Sequence, residues 1–179
     1  MVRTVLATER LRLRPLTPGD EPALFEVFAD PAARRFYPRM ASREAVRGWI
    51  EWNLRNYAAH GLGLWAVEPR AGGPLIGDCG LTYQDVEGRR ELEIGYHVLA
   101  AERRKGYATE AARACLGYAF AATQAPLVCS IVDPANDASR TVASRVHREL
   151  RTILRGDRPL LLFYTERPRG EVQPCGPGS

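Results

Sequence analysis

The sequence predicts a single α/β domain, a mixed sheet flanked by helices, and three observations predict it. The 179 residues suffice for one ordinary domain and are too few for two. Strand-like and helix-like apolar patterns follow one another in the order β-α-α-β-β-β-α-β-α-β. Three consecutive strands and then a strand-helix-strand crossing call for antiparallel and parallel neighbours in one sheet. No internal repeat, low-complexity core or linker divides the chain.

Residues 11–16, LRLRPL, alternate apolar and basic side chains, the pattern of a half-buried strand. Thr17-Pro18-Gly19-Asp20 opens a helix with proline and an acid in its first turn, and PALFEVFAD continues it to a stop at Asp30-Pro31. Ser42 is placed to cap a longer amphipathic helix reaching His60, which Gly61 and Gly63 end. Residues 64–68 (LWAVE) and 75–83 (LIGDCGLTY) read as strands joined by a turn over 70–74. In the strand 89–98, Leu92, Ile94, Tyr96 and Val98 share one face, and Glu91, Glu93, Gly95 and His97 the other. Residues 105–122 form an alanine-rich helix, 127–132 (LVCSIV) a buried strand, 136–150 a helix and 160–165 (LLLFYT) the last strand. Proline and glycine dominate from residue 167, so the domain is expected over 8–168 and a flexible tail over 169–179.

Composition narrows the function classes. Apolar residues make up 45%, enough for a core, and the net charge of +4 is carried almost wholly by arginine. The basic residues are scattered, with no tract interleaved with aromatics, so nucleic acid is not an expected partner. No apolar run approaches the ~20 residues of a membrane span, and the N-terminus lacks a secretory pattern, so a cytoplasmic protein without membrane attachment is expected. Cys79, Cys115, Cys129 and Cys175 lie far apart, as do His60, His97 and His147, which argues for neither a zinc site nor a disulfide framework.

The stretch YHVLAAERRKGYATEAARACLGYAF carries the chemistry. A strand runs into a basic turn, and the turn opens a helix whose first N–H groups and dipole favour an anion. Gly106 allows close backbone approach, Ala108 keeps the next position small, and Arg103, Arg104 and Lys105 add positive charge. The alternative is a helix with a solvated basic start.

Arg103-Arg104-Lys105-Gly106-Tyr107-Ala108 resembles the Arg/Gln-x-x-Gly-x-Gly/Ala signature of the GNAT N-acetyltransferases. The likeness extends to Glu93-Ile94-Gly95-Tyr96 before it, Ala108-Thr109-Glu110-Ala111 after it, and Asn136-x-x-Ser139 farther on. The opening TERLRLRPLTPGD is similar to the branch that acetylates protein N-termini, ribosomal-protein-alanine acetyltransferases among them. This resemblance implies a mostly antiparallel sheet of about 6–7 strands with about four helices, acetyl-CoA as co-substrate, and no metal. It implies a diphosphate on the backbone of Arg104, Lys105, Gly106, Tyr107 and Ala108, with Arg103 beside it. It places the pantetheine arm along the main chain of Tyr96, His97 and Val98, with Asn136 on the pantetheine and Ser139 near the thioester.

The resemblance further implies direct attack by an amine, and the residues offer few proton carriers. Glu93, on the polar strand face, is the candidate base through a water; its alternative is simple pairing with Arg89, Arg90 or another surface arginine. His97 on the same face is the second candidate. Many relatives place a tyrosine four residues after the serine, where this chain has Ala143, so Ser139 is the fallback near the departing thiolate. The helix also lacks the usual glycine near its end, so a displaced exit is expected. Phe36, Tyr37, Trp49 and Trp52 are read as pocket lining or as core. The expected acceptor is a primary amine, on a protein N-terminus or a small molecule, and a homodimer is a further expectation. The competing reading is an acyl-CoA sensor of the same fold without turnover.

Overall fold

The computed structural model describes residues 4–168; the expected tail over 169–179 lies outside them. Eight strands form one sheet: β1 (Leu6–Ala7), β2 (Leu11–Pro15), β3 (Leu64–Pro69), β4 (Gly77–Val86), β5 (Arg89–Val98), β6 (Leu127–Val132), β7 (Glu149–Arg155) and β8 (Arg158–Glu166). Their order across the sheet is β1-β2-β3-β4-β5-β6-β8-β7, and only β5 and β6 pair in parallel. Among the described residues the five α-helices are α1 (Glu21–Ala29), α2 (Pro31–Phe36), α3 (Arg43–His60), α4 (Tyr107–Ala122) and α5 (Asp137–Val146). The architecture is the expected α/β one, with eight strands where about 6–7 were predicted and five helices where about four were.

The alternation read in residues 11–16 holds. Leu11 and Leu13 are fully buried, whereas Arg12 and Arg14 reach to Glu68 on the opposite face, and Arg14 also grips Asp20. One sheet face packs on α4, whose inner stripe of Ala111, Ala112, Cys115 and Ala119 lets the helix lie close on Leu81, Leu92 and Ile94. The other face carries α1 and α3, where Leu24, Phe28, Val46 and Ile50 close over Leu16 and Ala66. Each such large side chain contributes ~1.5–3 kcal/mol by leaving water. At Gly80 the chains of β3 and β4 come so near that a Cβ would lie 2.0 Å from the Gly63 carbonyl oxygen.

Three elements differ from the sequence reading, each for a local reason. Asp30-Pro31 does not simply stop α1: Asp30 accepts the Ala33 N–H and caps α2, and Pro31 occupies that helix's first turn. The helix expected to reach residue 150 ends at Val146, because His147 leaves helical geometry (φ −99, ψ 161) and the chain turns into β7. That strand is an outer edge with Leu150 and Leu154 exposed, so its apolar pattern did not follow a buried face. The helix expected from residue 105 begins at Tyr107, which leaves Arg103, Arg104, Lys105 and Gly106 in the turn before it. No described helix is long and apolar enough to cross a membrane.

Candidate active site

The site begins where the sheet comes apart. β5 and β6 share only two register pairs, Leu92 with Val128 and Glu93 with Cys129, and then diverge. Main-chain groups that lose their partners must find others. Ser130 Oγ donates to the Ile94 carbonyl at 2.9 Å, and the Ile131 N–H donates to Glu93 Oε1 at 3.2 Å. Two side chains thus replace ladder bonds at the opening of the wedge. Behind them His147 is buried, with Nε2 3.1 Å from Ser130 Oγ and Nδ1 3.3 Å from Thr165 Oγ1. Ser130 has spent its proton on Ile94, so His147 Nε2 carries one and Nδ1 accepts from Thr165. Desolvation lowers His147 to about 4, which keeps the ring neutral.

Farther along β5 the unpaired edge lines a cavity. Leu99 N–H bonds to the Ile76 carbonyl at 2.8 Å, so antiparallel alternation turns the main-chain groups of Val98 and Tyr96 away from β4 and into the gap. The Val98 carbonyl there accepts Arg103 Nε at 3.1 Å. The Tyr96 hydroxyl donates to the Ser139 carbonyl at 2.9 Å and pins the start of α5 against the strand. Asn136 caps α5 by accepting the Ser139 N–H at 3.0 Å, which leaves its Nδ2 without a partner among the described residues.

The turn before α4 forms a concave backbone. Arg104 (φ 64) and Gly106 (φ 87) both take left-handed conformations, and no side chain caps the helix. The N–H groups of Gly106, Tyr107 and Ala108 meet no acceptor among the described residues. Alternating handedness with outward N–H groups is an anion nest, and a non-glycine residue held at positive φ is strain of ~1–2 kcal/mol stored at the site. The three predicted basic residues of the turn divide in role. Arg104 is exposed and lines the cavity. Arg103 lines it too but is tied at 2.8 Å to Asp30, the α2 cap. Lys105 does not line it: its ammonium pairs with Glu102 at 2.9 Å, and its carbonyl accepts Arg10.

This cavity, about 740 Å³, runs from the nest to the α5 cap. A second one, about 380 Å³, lies on the far side of the wedge and is floored by Glu93. Both contain Tyr37, Tyr96, His97, Asn136 and Ser139 in their walls, so the two meet at those residues. Burial raises Glu93 to about 7, against smaller lowering from the Ile131 N–H, Arg155 and His97. Glu93 pairs with neither Arg89 nor Arg90. Burial also pushes Tyr37 up to about 12, aided by Glu93 and Asp78, while the Ser139 side chain facing its hydroxyl draws it back.

His97 is fixed from several sides. Its Nδ1 lies 2.6 Å from Oδ1 of Asp78, which is fully buried and directly opposite it on β4. Trp49 Nε1 donates to the other Asp78 oxygen at 2.8 Å. The imidazole ring rests against Tyr37 at 4.5 Å and Phe28 at 4.9 Å between centroids. Sequence reasoning missed Asp78, although a lone carboxylate inside the apolar run LIGDCGL signals a buried partner. It placed Tyr37 only as pocket lining or core.

A strand wedge, an anion nest and a two-chambered cavity agree with the sequence profile described as an acetyltransferase (GNAT) domain, which matches residues 10–148. The chain belongs to the GNAT acetyltransferases. YkkB of Bacillus subtilis, an uncharacterized protein, is 35% identical over 163 residues, 90% of this chain and 95% of its own. An acetyltransferase from Agrobacterium tumefaciens is 28% identical and superposes with a TM-score of 0.79 over 93% of this chain and 96% of its own. RimL, a ribosomal L7/L12 α-N-protein acetyltransferase solved with coenzyme A, shares the fold at a TM-score of 0.75 with 14% identity, over 92% of this chain and 98% of its own.

Proposed function

We propose that this GNAT acetyltransferase moves an acetyl group from acetyl-CoA to a primary amine by direct attack, with the cofactor in the larger cavity and the amine in the smaller. The observation that carries this reading is the junction: two cavities meet at Tyr37, His97, Asn136 and Ser139, beside an ionisable Glu93. The diphosphate lies on the nest of Gly106, Tyr107 and Ala108, with Arg104, which has no ion pair among the described residues, as the cation and Arg103 bracing the turn against α2. The pantetheine arm runs along β5 and pairs with the main chain of Tyr96 and Val98. Since Arg103 holds the Val98 carbonyl, the Val98 N–H is the group left for it. Asn136, whose Nδ2 has no other partner among the described residues, is the junction donor for the thioester oxygen, where negative charge develops.

Glu93, titrating near pH 7, takes the amine proton through a water as the C–N bond forms. The C–S bond then breaks and the thiolate departs. Tyr37 at about 12 stays protonated and steadies the thiolate by a hydrogen bond; passing its proton to that thiolate, whose thiol has an ordinary pKa of ~8.5, is uphill. Ser139 supports that phenol, and so a tyrosine from the α2 side occupies the role that Ala143 leaves open. His97, held by Asp78, orients Tyr37 and is the second base on the junction. Purified protein given acetyl-CoA and a panel of amines releases free thiol in step with acetylated amine. Tight coenzyme A binding with no release across the panel would instead establish the sensor reading.

A further inference from the structure

The β7–β8 hairpin closes in a two-residue turn, Gly156-Asp157, with Gly156 at φ 61. Arg155 and Arg158 are therefore directly opposite each other across the ladder, and their side chains share one face of the ribbon. Like charges in that position repel, and a hairpin built only for stability does not place them there. Arg158 is neutralised by Asp133. Arg155 has no side-chain hydrogen bond or ion pair among the described residues.

Both arginines line the smaller cavity. Its other wall carries Trp49 and Trp52, stacked 5.0 Å apart at 25°. The charge of Arg155 is felt by Glu93 at the floor. A cavity of about 380 Å³ is of small-molecule size, and this one combines an aromatic wall, a carboxyl floor and a guanidinium without an ion pair among the described residues.

We infer that Arg155 is a specificity clamp that selects a small amine bearing a carboxylate, an amino acid with an apolar or aromatic side chain lying on Trp49 and Trp52. The inference rests on the acceptor reading of this cavity. The planar guanidinium matches a carboxylate with two parallel hydrogen bonds. A polyamine would set its second ammonium against Arg155. An N-terminal residue within a polypeptide has no carboxylate next to its amine.

The test compares matched acceptors: phenylalanine with phenethylamine and phenylalaninamide, and tryptophan with tryptamine. Each kcat/KM is measured in the wild type, Arg155→Met and Arg155→Glu. The readout is the change in the ratio within a pair, which cancels the intrinsic basicity of each amine. One charge-assisted pair predicts that the preference for the carboxylated member falls ~10–100-fold in Arg155→Met, mostly through KM, and further in Arg155→Glu. An unchanged ratio overturns the clamp while acetyl transfer stands. So does a wild type that prefers a peptide N-terminus to the free amino acid. If no amine releases thiol, the acceptor reading falls; calorimetry of phenylalanine on the coenzyme A complex then decides the clamp, and equal binding by wild type and Arg155→Met overturns it.

Discussion

Replacing Glu93 by Gln should make the protein less active and more stable, and the two effects should have different pH dependences. The carboxyl floors the smaller cavity, and burial raises it from the ordinary 4.5 to about 7. Between those values the folded state holds a proton that the unfolded chain has lost. Stability contributed by this group is therefore complete below 4.5 and declines as pH rises to about 7. At ~1.4 kcal/mol per pH unit the full loss is at most ~3 kcal/mol, less whatever water the open cavity admits. Gln keeps an oxygen for the Ile131 N–H and has no charge to desolvate. Urea unfolding should thus show Glu93→Gln level with wild type at pH 4.5 and up to ~3 kcal/mol more stable at pH 8. Acetyl transfer should fall ~10²–10⁴-fold near neutral pH. The wild-type profile should lose activity below about 7, and the variant should lack that limb. A variant less stable than wild type at pH 8 would refute the desolvation argument, and an unchanged acid limb would remove Glu93 as the base.

Arg104→Glu should weaken coenzyme A binding ~10–100-fold by calorimetry, with the difference shrinking as salt is added; equal affinities would count against the nest. Asp78→Asn should cost ~1–3 kcal/mol in urea unfolding, because an amide cannot accept from both His97 and Trp49. It should also lower kcat more than it raises KM, as Tyr37 and His97 lose their alignment. His147 titrates at about 4 against an ordinary 6.5, so its contribution is complete above 6.5 and is lost as pH falls toward 4. His147→Gln should remove that contribution of up to ~3 kcal/mol, so that relative to wild type the variant gains stability as pH falls, read from unfolding curves at successive pH values.

Much of the fold was legible because local signals and burial agreed. The alternation of Leu11 and Leu13 with Arg12 and Arg14 survives in β2, and the alanine-rich run became the inner stripe of α4. The turn from Arg103 to Ala108 was readable because glycine at φ 87 and an uncapped helix start are both local matters. What stayed hidden depends on contacts far apart in sequence. Nothing near Tyr37 announces that α2 carries it to Ser139, a hundred residues later. Arg103 stands beside the diphosphate nest until Asp30, 73 residues earlier, takes one of its nitrogens. The β7–β8 hairpin was missed although Arg155-Gly156-Asp157-Arg158 lies between apolar runs. Its edge position left Leu150 and Leu154 exposed and blurred the period.

The wedge between β5 and β6 ties stability and chemistry to the same few groups. Glu93 and Ser130 take over main-chain bonds lost at the divergence, and His147 holds Ser130 from behind. Their shifts oppose each other. Acidification from about 7 relieves the desolvated Glu93 carboxyl and penalises the buried His147 ring, over nearly the same interval and by similar amounts. Asp20, Glu68 and Glu110 are held below their ordinary values, so their acid losses begin lower, under about 4.5. Wild-type stability should therefore be nearly level between pH 4.5 and 6.5 while each single variant slopes. Glu93→Gln should lose stability on acidification, and His147→Gln should gain it. Opposite slopes would show that an ionisable base survives inside the wedge because a neutral imidazole behind it offsets its pH dependence; parallel slopes would mean that the two groups are not the ones that set the stability of the divergence.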